Sequence, residues 1–462
     1  MNNLNNYIID YSLSLQIPQD ILKQYMILPI KQTSLYILVA TSQIDQDITK
    51  LNNIFKTPIK LIEFSSKYLE YEYQYLNIKQ NLYNLANKAI LNKTTYKDNI
   101  FILNFLDIVF KTAINNNISD IHFEALEDSF IIRFRIDGVL NQFFKFNKTI
   151  HNMLSSVLKF LAHLDISQKR LPLNGRFTYN IQKIAYDFRV STMPTIYGES
   201  IVLRILDNKN IQKDLQSIGF ETTDLDIIYK NLNLTQGLIL VTGPTGSGKT
   251  TTLYSMLRYL NKSSKKIVTI EDPVEYKLDG IMQVNLNTDI NLDYHTVLKN
   301  LLRQDPDILL IGEIRDTLSA KIAIRAALTG HLVIATLHTN NAIETITRLK
   351  DLNIEPYLIA TTLKLVIAQR LVRKLCNSCK QYNKSTNLYE ALGCSQCNLT
   401  GYKDRTIIAE FLQIDKTISL QISNNKNINL KDFISLQTKA YNLLNKGIIS
   451  QEELLSKIGY EI

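Results

Sequence analysis

With 462 residues the chain is too long for a single hydrophobic core, and about three domains are expected. Its 45% hydrophobic and 21% charged residues are ordinary for a soluble globular protein, and no apolar run approaches the roughly 18 residues of a membrane-spanning helix. The net charge of +9 is dispersed over pairs such as Lys169-Arg170 and Lys265-Lys266, which excludes a strong basic patch. The start, Met1-Asn-Asn-Leu-Asn-Asn6, has neither the basic nor the apolar region of a secretory signal, so a cytosolic protein with at most peripheral membrane association is expected.

Residues 1–85 read as a small α/β module. Leu35 to Ala40 and Ile59 to Phe64 are strand-like, with a helical pattern between them and Pro58 at a strand's first position. A docking module and a plain structural domain are both open. The tyrosine-rich run Tyr68 to Tyr75 carries no chemistry of its own, and polar Asn92 to Asn99 reads as a linker.

The second domain is expected at 100–206. In Phe130-Ile-Ile-Arg-Phe-Arg-Ile136 the apolar residues alternate, leaving Arg133 and Arg135 on the other strand face before an Asp137-Gly138 hairpin turn. Leu154, Val157, Leu158 and Leu161 mark an amphipathic helix, and two later strands carry Arg189 and Arg204. Any one of these arginines could be a surface ion pair. Four on short strands before a phosphate site point to phosphate contact. A second linker is expected from Asp207 to Lys213.

The third domain, 218–462, holds that phosphate site. Leu238 to Val241 reads as a buried strand, followed by Gly243-Pro244-Thr245-Gly246-Ser247-Gly248-Lys249-Thr250-Thr251 and a helix marked by Leu253, Met256, Leu257 and Leu260. Strand, glycine-rich turn and helix give the phosphate-loop context: backbone N–H groups converge on phosphate oxygens, Lys249 reaches the β- and γ-phosphates, and the Thr250 hydroxyl sits on Mg²⁺. A strand Ile267 to Ile270 ends at Glu271-Asp-Pro-Val-Glu275, and Asp307-Ile-Leu-Leu-Ile-Gly-Glu313 ends in a carboxylate, Gly312 allowing its close approach. Carboxylates at these strand ends point into the nucleotide crevice, one to hold a Mg²⁺-bound water and another to orient the attacking water. Asp316 caps an alanine-rich helix closed by Gly330, and the strand Leu332 to Thr336 ends at His338, a candidate γ-phosphate sensor. These spacings give a RecA-like α/β core.

Cys376-x-x-Cys379 and Cys394-x-x-Cys397, separated by 14 residues, are the chain's only cysteines. Two such knuckles in a reducing compartment read as a closed structural Zn²⁺ site. A redox pair is the rival, and it needs only one.

Taken in this order, these motifs resemble those of the type II secretion and type IV pilus assembly ATPase family, over nearly the whole chain. The matching stretches are the Walker A box, Thr269 to Glu275, Asp305 to Asp316, Thr329 to Thr339, Gln369 to Cys376 and Thr400 to Glu410. The resemblance implies an ATP- and Mg²⁺-dependent homo-hexamer on the cytoplasmic side of the inner membrane. Its partners would be a membrane platform and secretion or pilus-assembly proteins, and no nucleic acid. It implies a small amino-terminal α/β domain and a PAS-like α/β domain ahead of the ATPase domain, a zinc-knuckle insertion, and arginines that reach the γ-phosphate. The cysteine knuckle favours extension or secretion over retraction. The chain departs from the family in four places: Asn174, expected in a turn, replaces an Asp; Asp404 replaces a Gly; and both the cysteine loop and the amino-terminal region are short. A zinc-bearing nucleic-acid motor is an alternative, though the sequence lacks aromatic–basic interleaving. A scaffold without turnover is another, which intact Lys249, Glu275 and Glu313 oppose.

Overall fold

The computed structural model describes residues 7–45, 48–91, 100–206, 213–287, 290–428, 430 and 433–459. The chain's start and the expected linkers at 92–99 and 207–212 lie outside the described residues; of the second linker only Lys213 is described. Grouped by contacts, the chain forms two compact units. The first is Met1–Asp207 with Cys376–Lys380 and Ala391–Lys403; the second is Asn208–Leu375 with Gln381–Glu390 and Asp404–Ile462. The cysteine segments thus group in space with the amino-terminal half, although the strands on either side of them run in the second unit.

The first unit opens with α1 (Tyr11–Leu15), α2 (Gln19–Gln24), β1 (Ile27–Gln32), β2 (Ile37–Thr41), α3 (Ile48–Phe55), β3 (Ile59–Glu63) and α4 (Ser66–Leu91). β2 pairs antiparallel with β1 and parallel with β3, giving a mixed three-stranded sheet. The tyrosine-rich run lies in α4, with Tyr71, Tyr73 and Tyr75 buried and Tyr68 exposed. The Tyr73 hydroxyl lies 2.8 Å from both the Leu22 and Ile27 carbonyls, and Glu72 pairs with Lys79 at 2.7 Å under the Tyr11 hydroxyl. These tyrosines fill a core while their polar ends stay satisfied.

α5 (Ile100–Asn115) then leads into β4 (Asp120–Ala125), β5 (Ser129–Ile136), β6 (Val139–Asn147), α6 (Thr149–Leu161), β7 (Leu173–Ile181), β8 (Ile184–Thr195) and β9 (Gly198–Leu206). The six strands form an antiparallel sheet in the order β6-β5-β4-β9-β8-β7. One sheet face is apolar and buried, with Ile121, Phe134, Phe188 and Leu203 packed into the core that also takes Leu154 and Leu158 of α6. Asp137 and Gly138 form the β5–β6 turn at φ 48° and 88°, the positive values a two-residue hairpin requires. Asn174 does not sit in the expected turn. It lies within β7, opposite Ser191, because the chain is already extended there.

In the second unit, β10 (Gly237–Thr242), β11 (Ile267–Glu271), β12 (Met282–Asn285), β13 (Ile308–Ile311), β14 (Leu332–Leu337) and β15 (Leu363–Leu375) join one large sheet. The short strands β16 (Gln381–Asn383) and β17 (Leu388–Glu390) form a separate hairpin, and β18 (Tyr402–Gln413) completes the seven strands in the order β12-β11-β13-β14-β10-β15-β18. The pairs from β12 to β15 are parallel. β10 is buried throughout, Leu238 and Leu240 facing one core while Ile239 and Val241 face the other. Helices therefore cover both faces, as an all-apolar central strand demands. Asp404 stands at φ 64°, a left-handed position that Asp tolerates better than most residues.

Candidate active site

The phosphate loop leaves the carboxyl end of β10 and enters the helix Lys249–Leu260. A Cβ on Gly243 would meet the Gln369 carbonyl at 2.5 Å and the Ser247 hydroxyl at 2.7 Å, so only glycine fits where the loop turns over β15. Lys249 folds back into the loop, its ammonium donating to the Gly243 and Pro244 carbonyls at 2.7 and 3.0 Å. Burial pushes its pKa down to about 8, against the favourable charge of Glu313. Among the described residues the buried Ser247 hydroxyl has no hydrogen-bond partner. A half-dry cation held only by carbonyls, beside an orphaned hydroxyl, is a loop suited to an anion.

Three strand ends face this loop. β11 ends at Glu271, which is buried and accepts from Thr269 Oγ1 at 2.7 Å, Gln283 Nε2 at 3.1 Å and the Tyr254 hydroxyl. Burial and then the Glu271 charge hold the Tyr254 phenol protonated well beyond its usual range. Glu275, four residues on, is half-buried on the loop that follows. After β13, a Cβ on Gly312 would meet the Ile270 carbonyl at 3.0 Å, and Glu313 follows between Arg315 and His338. The Arg315 guanidinium clasps one of its oxygens and His338 Nε2 lies 3.3 Å from the other. Arg315 also reaches Asp272 at 3.5 Å. β14 carries His338 to this point, and buried Thr242 ties it to β10 by accepting the Thr339 N–H at 2.9 Å and donating to the Leu337 carbonyl at 3.0 Å. Lys249, Glu313 and His338 thus converge. Arg315 and Tyr254 join the site as partners of its carboxylates, roles that the motifs did not announce.

In the first unit the arginines are ordered by strand register. Arg135 pairs with Asp120, Asp120 with Arg204, Arg204 with Arg189, and Arg189 with Arg176, a row across five strands on one face. Asp120 is buried and accepts from Arg204 Nε at 2.9 Å, with Arg135 Nε at 3.5 Å. Four guanidiniums thus share a row with one carboxylate. Arg133 lies on the same face one step away and donates to Glu124 at 2.5 Å. His122 and then Arg133 hold the Glu124 carboxyl below its usual range.

Cys376, Cys379, Cys394 and Cys397 are free thiols whose Sγ atoms all lie within 4.8 Å of one another. Three of the separations are 3.7, 3.8 and 4.0 Å. Four sulfurs bound at about 2.3 Å around one tetrahedral ion stand about 3.8 Å apart, so the set fits a thiolate-bound metal. The Cys394 and Gly401 N–H groups both point at Cys397 Sγ from 3.2 Å, as they would toward a thiolate. Within the same unit Asn398 meets the Tyr75 hydroxyl at 3.0 Å, and Leu399 packs against the amino-terminal core.

Comparison with known proteins agrees with this geometry. The family model described as Type II/IV secretion system protein matches residues 95–455. Type II secretion system protein E of Dickeya dadantii is 44% identical over 339 residues, 71% of this chain and 68% of that protein. Type II secretion system ATPase E of Vibrio cholerae is 38% identical over 422 residues, 84% of this chain and 83% of its own. Among solved structures, the pilus retraction motor PilT with bound ADP matches with a TM-score of 0.54 at 26% identity, covering 76% of this chain and 96% of that one. No helix among the described residues is long and apolar enough to cross a membrane. The chain belongs to the type II/IV secretion system protein family and is one of its ATPases.

Proposed function

We propose that this ATPase is the motor of a type II secretion system or of a type IV pilus or DNA-uptake pseudopilus. It works as a homo-hexamer at the cytoplasmic face of the inner membrane and turns ATP hydrolysis into movement of a membrane platform. The observation that carries this reading is the convergence of Lys249 with Glu313, clasped by Arg315 and His338, at the ends of parallel strands in a RecA-like order. Mg²⁺, when bound through the Thr250 hydroxyl and a water on Glu313, would neutralise phosphate charge. Glu275 is taken as the residue that orients the attacking water, because Glu271 already accepts three hydrogen bonds. The strands β4 to β9 with α6 serve as a PAS-like domain whose arginine row meets the γ-phosphate. The cysteine cluster holds Zn²⁺ as a structural ion, which supports extension or secretion over retraction. Residues 1–85 are the docking module.

The purified chain should hydrolyse ATP only with Mg²⁺, run as a hexamer with a non-hydrolysable analogue, and carry about one zinc per chain that Cys397→Ser removes. In cells lacking the protein, the parent should restore secretion or pilus assembly, and the Glu313→Gln variant should bind ATP yet restore neither. Intact secretion and intact pili in cells without the protein overturn the assignment, whatever the ATPase rate.

A further inference from the structure

β15 crosses directly beneath the phosphate loop, and two of its buried polar residues have no part in the site as described so far. Gln369 is fully buried. Its Nε2 donates to the Ser247 carbonyl at 2.9 Å, and its Oε1 accepts from the Thr252 hydroxyl at 3.0 Å. One side chain thereby holds both the crown of the loop and the first turn of the helix behind it. Arg370 is 8% exposed, and its guanidinium donates to the Gln369 carbonyl at 3.0 Å and to the Asn340 carbonyl at 2.7 Å. Among the described residues no carboxylate pairs with it, and Glu410 and Glu344 act on it only from farther off. A Cβ on Gly243 would stand 3.2 Å from its Nη1, so this cation lies against the entry to the loop.

Such placement is costly unless it serves something. A guanidinium stays charged at any pH the protein meets, and burying it with only carbonyls in hydrogen-bond reach leaves its charge partly compensated, by Glu410 and Glu344 from farther off. Asn340 ends the loop that carries His338. Arg370 therefore bonds one of the two loops whose relative position sets the distance from Lys249 to His338, and lies beside the entry to the other. We infer that Arg370, seated by Gln369, is a positioning residue for hydrolysis: it locks the His338–Asn340 loop to the phosphate loop and keeps a standing positive charge beside Lys249. An arriving triphosphate supplies the counter-charge that the cation lacks, and loss of the γ-phosphate removes part of it. The lock is thus tightest when the site is loaded. The inference depends on ATP turnover at this loop alone and not on what the chain drives.

The groups that face Lys249 are Glu313 from the end of β13 and Arg370 from β15, and Arg370 opposes the lysine's charge. That gives a readout a merely structural role would not move. In Arg370→Gln, kcat should fall by about tenfold as the link to Asn340 is lost, while the pH at which nucleotide affinity declines should rise by about half a unit. Arg370→Lys retains the charge and should keep the parent's pH midpoint. Gln369→Leu frees the arginine without removing its charge, so it should lose kcat at an unchanged midpoint. Turnover, binding of a fluorescent ADP analogue from neutral to alkaline pH, and thermal unfolding are measured on each full-length variant. A folded Arg370→Gln with the parent's kcat overturns the lock, and one with the parent's midpoint overturns the charge role. Should Arg370→Gln not fold, a parent-like kcat in Gln369→Leu overturns the inference by itself.

Discussion

Both units gather charged side chains on β-sheets, but they do so by different geometry. In the second unit the charges sit at strand ends: Lys249 just past β10, Glu313 just past β13 and His338 just past β14. Each belongs to a short run of sequence, because a parallel sheet delivers its loops to one edge. In the first unit the charges sit in mid-strand, and register alone brings Arg135, Asp120, Arg204, Arg189 and Arg176 into one row. The strand-end site keeps its lysine on carbonyls and its carboxylate between Arg315 and His338. The mid-strand row sets four guanidiniums and one carboxylate side by side on one sheet face. Strand ends gather charge within one window of sequence, whereas a row gathers it only through register.

The comparison breaks most visibly at Lys249. Lys249→Ala should lower nucleotide affinity by at least about a hundredfold, because a charge-assisted contact in a half-dry site is worth about 3 kcal/mol. Equilibrium binding of labelled ADP measures this, with thermal unfolding to verify the fold. Affinity within a few-fold of the parent would mean that the folded-back lysine does not hold phosphate at all.

The row offers a sharper division. Arg189→Ala and Arg204→Ala should each lower kcat by about tenfold or more if the row meets a phosphate, with little change in affinity. Arg133→Ala should cost less than about threefold, since its guanidinium is committed to Glu124 and only a partly exposed ion pair is lost. Arg204→Ala also leaves buried Asp120 with fewer donors, so its thermal stability should drop. Equal kcat losses in all three variants would show that register does not select among these arginines.

Much of the strand-end site was legible because its chemistry is local. A glycine-rich turn after an apolar strand, a carboxylate after Gly312 and a histidine after β14 each need only one window of sequence. The strands β2, β3, β5, β8 to β11, β13 and β14 and the helix α6 could be read from sequence pattern for the same reason. The rest depends on neighbours distant in the chain. Arg133 and Arg135 look equivalent on their strand, yet Glu124 takes one and Asp120 the other, which only the β4–β5 register decides. Glu271 and Glu275 look alike until Tyr254 and Gln283 close around the first. The tyrosines of α4 gave no sign of the carbonyls and the buried ion pair they cover, and Gln369 and Arg370 read only as the flank of the cysteine motif. Asn174 was misplaced because turn-forming chemistry is a propensity, and the pairing of β7 with β8 overrides it.

The smallest expected effect tests the strand-end site itself. Burial brings the Lys249 pKa down to about 8, with Glu313 acting against the shift and Arg370 with it. The free lysine is therefore mostly charged at neutral pH and loses its proton as pH rises through about 8. Bound phosphates favour the ammonium, so its pKa is higher in the complex, and above this midpoint binding must take up a proton. Affinity should be flat near pH 7, about twofold weaker at pH 8, and then fall by up to about tenfold per unit until the bound form titrates too. Phosphate ionisation is complete on the alkaline side and adds no slope there. The control is Lys249→Arg: a guanidinium does not titrate, so whatever affinity that variant retains should be independent of pH over the same range. If its curve falls in step with the parent's, the titrating group is not Lys249, and the carbonyl-held ammonium is not what prepares this loop for its substrate.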